Sequence, residues 1–477
     1  MICNRHSRII DMRRNSISFY LLSIVFLFAS CLGDSEETTV YPSDAVITSF
    51  ALGTLKQYVT TKAKDGSDST YTKDVAGNTY KFYIDQVNHE IYNPDSLPYG
   101  TDVKHVLCNV TSKNSGTITI QKLNSDTLQY YTSTDTIDFT TKRTFRVFSL
   151  DGTNTQNYTV SVNVRQEYPD TLLWSNTATN PAFAEANAMK ALSCNGKVFV
   201  VLENEQSSVS SIYSTNETSG TEWEHLSFNI ARPLPADASQ NIVSNGNCLY
   251  LYNANTIYRS TNGEDWEMTA NAHLKRLVAA SDNTLFALSG PGILVSSNDE
   301  GATWTTELLD DNASLLPTQD LSTCEIYSRI NKDTRTIKFI GNRDLAPYPG
   351  DTHAQVWSKL VEGSDMSGKW MYTNPNDLPY LMLPRLNALQ VTAVGARLLA
   401  AGCSDTQKKF YYSDDGGIYW YTKNSYDLPG QEAITGPFAM TTDSHGNIWM
   451  VFSDSGSVWR GHVTSDGKSK VPTAITE

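Results

Sequence analysis

Ser297-Asn298-Asp299-Glu300-Gly301-Ala302-Thr303-Trp304 is the stretch whose chemistry decides the fold. A carboxylate two residues after a serine can accept backbone N–H bonds inside a tight turn. The glycine permits positive φ at the turn's sharpest point. The tryptophan buries a large apolar face against neighbouring strands. The pattern Ser-x-Asp-x-Gly-x-Thr-Trp returns as Ser413-Asp414-Asp415-Gly416-Gly417-Ile418-Tyr419-Trp420, which lacks only the threonine. Ser260-Thr261-Asn262-Gly263-Glu264-Asp265-Trp266 is one residue shorter, with asparagine in place of the acid. Ser214-Thr215-Asn216, continuing to Gly220 and Trp223, is two residues longer, and Ser358 to Trp370 is a degenerate copy. Structural roles in these turns fall to Ser260, Asn262, Trp266, Ser297, Asp299, Gly301, Trp304, Ser413, Asp415, Gly417 and Trp420.

A second pattern precedes these turns: a turn-forming pair, then an alternating apolar strand. Its clearest copies are Cys194-Asn195-Gly196-Lys197-Val198-Phe199 and Ser244-Asn245-Gly246-Asn247-Cys248-Leu249. Weaker copies begin at Ser281, Asn331, Val394 and His445. Intervals of about 37 to 63 residues suit four-stranded propeller blades. The Ser-x-Asp turns resemble the Asp-box, or BNR, repeats of sialidase-like β-propellers. Six copies of this turn-and-strand pattern imply six blades, with Thr171-Leu172-Leu173-Trp174 supplying the last blade's outer strand. A seventh blade would need an extra unit between Trp304 and Trp370.

Outward from the repeat, residues 44–166 read as a β-sandwich. Tyr80 to Ile84 alternates with period two, Thr117 to Ile120 is a further strand, and Phe145-Arg146-Val147-Phe148 faces Tyr158 to Val162 across Asp151-Gly152. Asp-Gly between alternating runs marks a hairpin. This string resembles the last strands of Ig-like modules near the N-terminus of Bacteroidota surface lipoproteins, which implies a spacer role. Amphipathic helical periodicity is nearly absent, so the chain is all-β.

Residues 1–30 read as signal: Arg5, Arg8, Arg13 and Arg14 precede the apolar run Leu21 to Phe28, which is shorter than the ~20 residues a membrane span needs. Ala29-Ser30-Cys31 resembles a bacterial lipobox, which would make Cys31 the lipidated residue. The acidic stretch after it, within a tether over 31–43, resembles the surface-export signal of Bacteroidota lipoproteins. The expected location is therefore the bacterial outer membrane, lipid-anchored and facing outward. Nearly the whole mature chain is similar to uncharacterised Bacteroidota lipoproteins with an N-terminal Ig-like domain and a BNR-type propeller, here spanning residues 167–477.

The net charge is −14, and loss of residues 1–30, with four arginines and one aspartate, deepens it to −17. Such a surface repels phosphate backbones and excludes nucleic acid as a partner. Cys108, Cys194, Cys248, Cys324 and Cys403 are odd in number and widely spaced, which argues against a disulfide framework and against a zinc site. No cofactor is implied. The partners expected are the membrane, through the anchor, and a glycan or protein at the cell surface.

The sialidase resemblance implies an arginine in a Phe/Tyr-Arg-Ile-Pro motif before the first blade. No arginine lies between Arg165 and Arg232, and Phe228 to Pro233 is only a distant echo of it. Sialidase chemistry is thereby disfavoured, and no catalytic residue is assigned. A diverged glycoside hydrolase would need two facing carboxylates, with Asp310, Asp311, Glu325, Asp344 and Glu432 on hand. The favoured expectation is a non-catalytic binding or scaffolding module. Lys190, Arg276, Arg329 and Arg385 fall on or near the innermost strands and are candidates for holding an acidic glycan. The long loop Gly341 to Asp351, with Arg343 and Tyr348, is a second candidate site.

Overall fold

The computed structural model describes residues 40–62, 68–204, 209–230, 233–290, 292–374, 378–404 and 406–465. The signal segment, Cys31, most of the tether and Arg232 lie outside them. The chain separates into two compact units that meet between Gln166 and Glu167.

The first unit holds a six-stranded sheet in the spatial order Tyr83–Asp85, Glu90–Tyr92, Thr155–Ser161, Arg143–Phe148, Ile118–Gln121, Leu128–Tyr130. Ile47–Leu52 pairs with Cys108–Ser112, and Thr54–Lys62 with Asp68–Ala76. The hairpin at Asp151-Gly152 is present: Phe148 faces Thr155, Gly152 has φ 72°, and the Asp151 carboxylate accepts the Thr153 N–H at 3.0 Å. The Tyr80–Ile84 run is a strand only from Tyr83, because the turn Gly77–Thr79 is tied to the Gly53 carbonyl. Phe50, Phe139 and Phe145 pack edge-on and stacked at the centre of this unit's core.

Among the described residues, the second unit contains six separate sheets. Their first strands are Ala188–Cys194, Ile242–Ser244, Arg276–Ser281, Gln319–Tyr327, Asn387–Val394 and Phe438–Thr442. Each of the six turn-pair motifs is the hairpin joining a first strand to its second. Second strands such as Lys197–Glu203 (KVFVVLE) and Leu249–Asn253 (LYLYN) are buried on both faces. That is why they are continuous apolar runs rather than alternating ones.

The cores show how the sheets succeed one another. One apolar cluster joins the first and second sheets through Phe199, Val201, Leu249 and Leu251. Others join second to third, third to fourth, fourth to fifth and fifth to sixth. A last cluster, with Met189, Val198 and Val200 against Ala439, Trp449 and Val451, joins the sixth sheet back to the first. Six sheets and six shared cores make a closed ring around the first strands. The ring is fastened by its outermost strand. Leu172–Thr179, at the start of this unit, pairs antiparallel with Ser457–Val463 at its end, completing the sixth sheet.

Turns, ion pairs and side-chain hydrogen bonds bind sheet to sheet. In the Ser297 turn the serine Oγ donates to the Asp299 Oδ1 at 2.7 Å and accepts the Gly301 N–H at 2.8 Å. Asp299 also accepts the Thr303 N–H at 2.9 Å, and the Trp304 indole N–H donates to the Gly301 carbonyl. Ser413, Asp415, Gly417 and Trp420 repeat this geometry, and Ser260, Asn262, Gly263 and Trp266 do so with the asparagine carbonyl as acceptor. Gly301 sits at φ +94°, where a Cβ would lie 2.2 Å from Ile257 of the second sheet. Every tryptophan of these turns thus drives into the seam with the preceding sheet: Trp266 among Phe199 and Leu226, Trp304 against Ile257's cluster, Trp420 among Val356 and Leu398. Two copies depart. The Trp223 indole N–H is buried without a partner, and Trp370 donates instead to Glu307 at 2.9 Å.

Candidate functional site

The first strands enclose a central channel of about 1050 Å³. Neighbouring first strands run parallel, with Lys190 beside Ile242, Val278 beside Thr323 and Thr392 beside Thr442, so they begin at one face, here termed the upper face. Their hairpin turns and the Ser-x-Asp turns lie at the other.

Lys190 and Arg276 come together at the upper part of this channel. Lys190, third residue of its strand, donates to the Ile242 carbonyl of the second sheet at 2.8 Å. Arg276 opens the third sheet's first strand and donates to the Gln240 carbonyl at 2.9 Å and the Thr318 carbonyl at 3.4 Å. Both line the channel and keep part of their surface on it. The channel walls strip hydration from the Lys190 ammonium, and the Arg276 charge adds to that; together they push its pKa down to about 7. Burial also lowers the Arg276 pKa, opposed by Asp320, Asp237 and Glu203. Asp320, Gln240, Ser322 and Gln390 also line the channel. These four carry no motif, since the repeat marks the far ends of the first strands.

The remaining candidates lie elsewhere. Arg329 is exposed in the turn after Gln319–Tyr327, at the lower end of the fourth sheet, and does not line the channel. It belongs to a hairpin turn, so the expected ring of four cations is reduced to two. Arg385 also lies off the channel: its guanidinium donates to the Arg343 carbonyl at 2.9 Å. Arg343 is held in a two-point pair with Asp351, at 2.6 and 2.5 Å, and its guanidinium stacks 3.9 Å above the Tyr348 ring. Arg343, Tyr348 and Arg385 therefore form one cluster that fixes the 343–351 loop. Beside it is a second cavity of about 530 Å³, whose lining includes Asp311, Arg343, His353, Gln355 and Tyr372.

Of Asp310, Asp311, Glu325, Asp344 and Glu432, the acids available for catalysis, Glu325 lines the channel and the others lie off it. Asp310 accepts the Tyr372 N–H, and Glu325 accepts the Tyr327 hydroxyl and lies 3.4 Å from the Arg335 guanidinium. Asp344 accepts the Ala346 N–H in its loop, Asp311 lines the second cavity, and Glu432 is exposed after the last short turn. On the channel wall, Asp320 accepts from the Asn342 amide at 2.8 Å; behind it, buried off the channel, Glu203 takes both the N–H and the hydroxyl of Ser239. Burial raises the Glu203 pKa, and those two bonds work against the rise.

Glu217, Asp443 and His445 bring possible metal-ligand atoms within 4.8 Å of one another. Their carboxylates are already supplied with donors: Glu217 by Ser193 and Ser444 at 2.6 Å each, Asp443 by the Asn447 N–H at 2.8 Å and the Trp449 indole at 2.9 Å. Donor saturation makes this group a fastener between the sixth and first sheets.

Residues 168–467 match the model of the DUF6242 beta propeller domain, and residues 50–162 match that of the DUF6242 N-terminal domain, a domain of unknown function. The chain belongs to the DUF6242 family. Its second unit is a β-propeller, and the channel is the channel of a DUF6242 propeller. No curated protein matches the sequence. Solved structures similar to the DUF6242 chain include a structural genomics protein of unknown function from Bacteroides thetaiotaomicron, 10% identical, with a TM-score of 0.40 over 75% of this chain and 94% of that one. The Hadza microbial sialidase Hz136 is 11% identical, with a TM-score of 0.38 over 89% and 91%. The N-terminal domain of Nup159 is also 11% identical, with a TM-score of 0.31 over 62% and 97%.

Proposed function

We propose that this DUF6242 protein is a lipid-anchored, non-catalytic binding module of the outer-membrane surface, and that its propeller channel receives an acidic glycan at the upper mouth. In this reading the six sheets are six Asp-box blades, and the first unit is an Ig-like spacer carrying the propeller away from the anchor at Cys31. The observation that carries the binding reading is the convergence of Lys190 and Arg276 on a polar channel of about 1050 Å³ in a strongly acidic chain. A carboxylate entering there meets an ammonium from the first sheet and a guanidinium from the third, on either side of the second sheet's Ile242–Ser244, and hydroxyl groups meet Gln240 and Ser322 on the channel wall. Charge-assisted bonds in a partly desolvated site are the strong ones.

Binding is favoured over hydrolysis by how the mouth's acids are used. A glycoside hydrolase needs two carboxylates roughly 5 to 9.5 Å apart, one of them free to give or take a proton. Asp320 and Glu325, which line the channel, instead accept from Asn342 and from the Tyr327 hydroxyl, with the Arg335 guanidinium 3.4 Å from Glu325. The test is calorimetric titration with galacturonic acid oligomers at pH 6. Lys190→Ala and Arg276→Ala should each weaken binding about tenfold, the loss of one charge-assisted hydrogen bond. Release of new reducing ends would move the assignment to the hydrolase reading. For the anchor, Cys31→Ser should shift the protein from the membrane fraction to the soluble one, and unchanged membrane retention would refute lipidation there.

A further inference from the structure

We infer that the cavity beside the 343–351 loop is a second glycan subsite, continuous with the channel mouth, so that the preferred ligand is an oligosaccharide rather than a single sugar. The inference rests on the binding reading above and adds a ligand length to it.

Two connections on the upper face carry the argument. The 343–354 segment joins the fourth sheet's second and third strands, and the 307–318 segment brings the chain from the third sheet into the fourth. Both therefore return to the face where the first strands begin. Asn342, last residue of its strand, donates to Asp320 of the channel wall, and the next residue, Arg343, lines the second cavity. On the other side, Leu315 lines the cavity and Thr318 lines the channel. Residues three apart can separate by no more than about 11 Å. The two rims are thus joined twice by very short stretches of backbone. Arg343 also ties the two connecting segments to each other, through its bond to the Ser314 carbonyl at 3.2 Å.

The cavity's chemistry suits an uncharged, hydroxyl-rich ring. Arg343 is neutralised by Asp351, so the cavity does not repeat the cationic mouth. His353 has Nδ1 within 2.9 Å of the Thr352 hydroxyl, Gln355 contacts the Tyr372 hydroxyl at 2.7 Å, and Asp311 adds an acceptor. Tyr380, beside the cavity's Pro379 in the turn Pro379–Leu381, is 77% exposed and offers a ring for a sugar to stack on. The mouth would hold a carboxylate, and the cavity a neighbouring ring.

The test compares glucuronic acid as monomer with a trimer and a hexamer in which one uronic acid is joined to neutral xylose rings, by calorimetry, with hydrogen exchange as a second readout. The hexamer should bind at least tenfold more tightly than the monomer and protect both the 188–192 and 343–355 backbones, while the monomer protects only 188–192. His353→Ala should remove the hexamer's advantage. Should that variant misfold, the exchange pattern of the unaltered protein still decides. Equal affinity for all lengths, or a hexamer footprint confined to 188–192, overturns the inference but leaves the channel reading standing. Binding of none of the three sinks both.

Discussion

Trp420 shows what a single residue does in this architecture. It is 3% exposed, lies in the seam between the fourth and fifth sheets, and closes its own turn by an indole bond to the Gly417 carbonyl at 3.1 Å. Trp420→Ala should cost about 3–5 kcal/mol in urea unfolding, the range for truncating a buried large aromatic. A loss under ~1 kcal/mol would mean the seam does not depend on it. Lys190 acts in the opposite sense. Its folded pKa of about 7 lies below the ordinary lysine value of about 10.4, so the unfolded chain binds more protons between these limits. Burial of the charge therefore costs stability in full below about pH 7, and the cost fades as pH rises toward 10.4. Lys190→Met should raise the Tm most at pH 6, with the gain shrinking to nothing near pH 10. A pH-independent gain would show that the ammonium is not desolvated. The turn residues were legible in sequence because Ser-x-Asp-x-Gly-x-x-Trp is one local hydrogen-bonded unit. Asp320 and Gln240 were not, because their place on the channel wall depends on which strands become neighbours.

At the scale of elements, the strand Leu172–Thr179 decides whether the ring closes. Ahead of it, Asp170 accepts from Lys423 and Arg397 at 2.5 Å each and from the Tyr426 hydroxyl at 2.8 Å. Burial alone would raise its pKa, but these three partners outweigh it and hold the carboxyl at about 2. With an unfolded value near 3.9, the latch stabilises the fold fully above about pH 4. That contribution is lost as pH falls through 2. Asp170→Asn should lower the Tm at pH 7, and the gap from the unaltered protein should narrow steadily from pH 4 to pH 2. A gap that stays constant into acid would mean the carboxylate charge is not what fastens the strand. The strand itself could be read from Thr171 to Trp174, since the sixth repeat lacked an outer partner. The latch could not, because Asp170 and Lys423 are 253 residues apart. Arg329 marks the other limit: counting along the chain put it near an innermost strand, while the strand ends at Tyr327 and leaves it in the turn.

Across the molecule, each unit has a core of its own among the described residues. One cluster serves residues up to Val164, and six others serve residues from Leu172 onward. A chain limited to residues 167–468 should therefore fold alone and keep the propeller's thermal transition. Loss of cooperative melting in that fragment would show that the propeller depends on the first unit. The all-β class and the repeat were readable because both are periodic. Function was not, since the motif that builds the ring sits on the face opposite the channel mouth. The account's central claim is that Lys190 and Arg276 make that mouth a binding site for acidic glycans. Calorimetric titration of the full protein with galacturonic acid oligomers at pH 6 tests it most directly. Saturable binding, weakened about tenfold by either Lys190→Ala or Arg276→Ala and accompanied by no new reducing ends, is the predicted result; absence of binding, or binding indifferent to both substitutions, would contradict it.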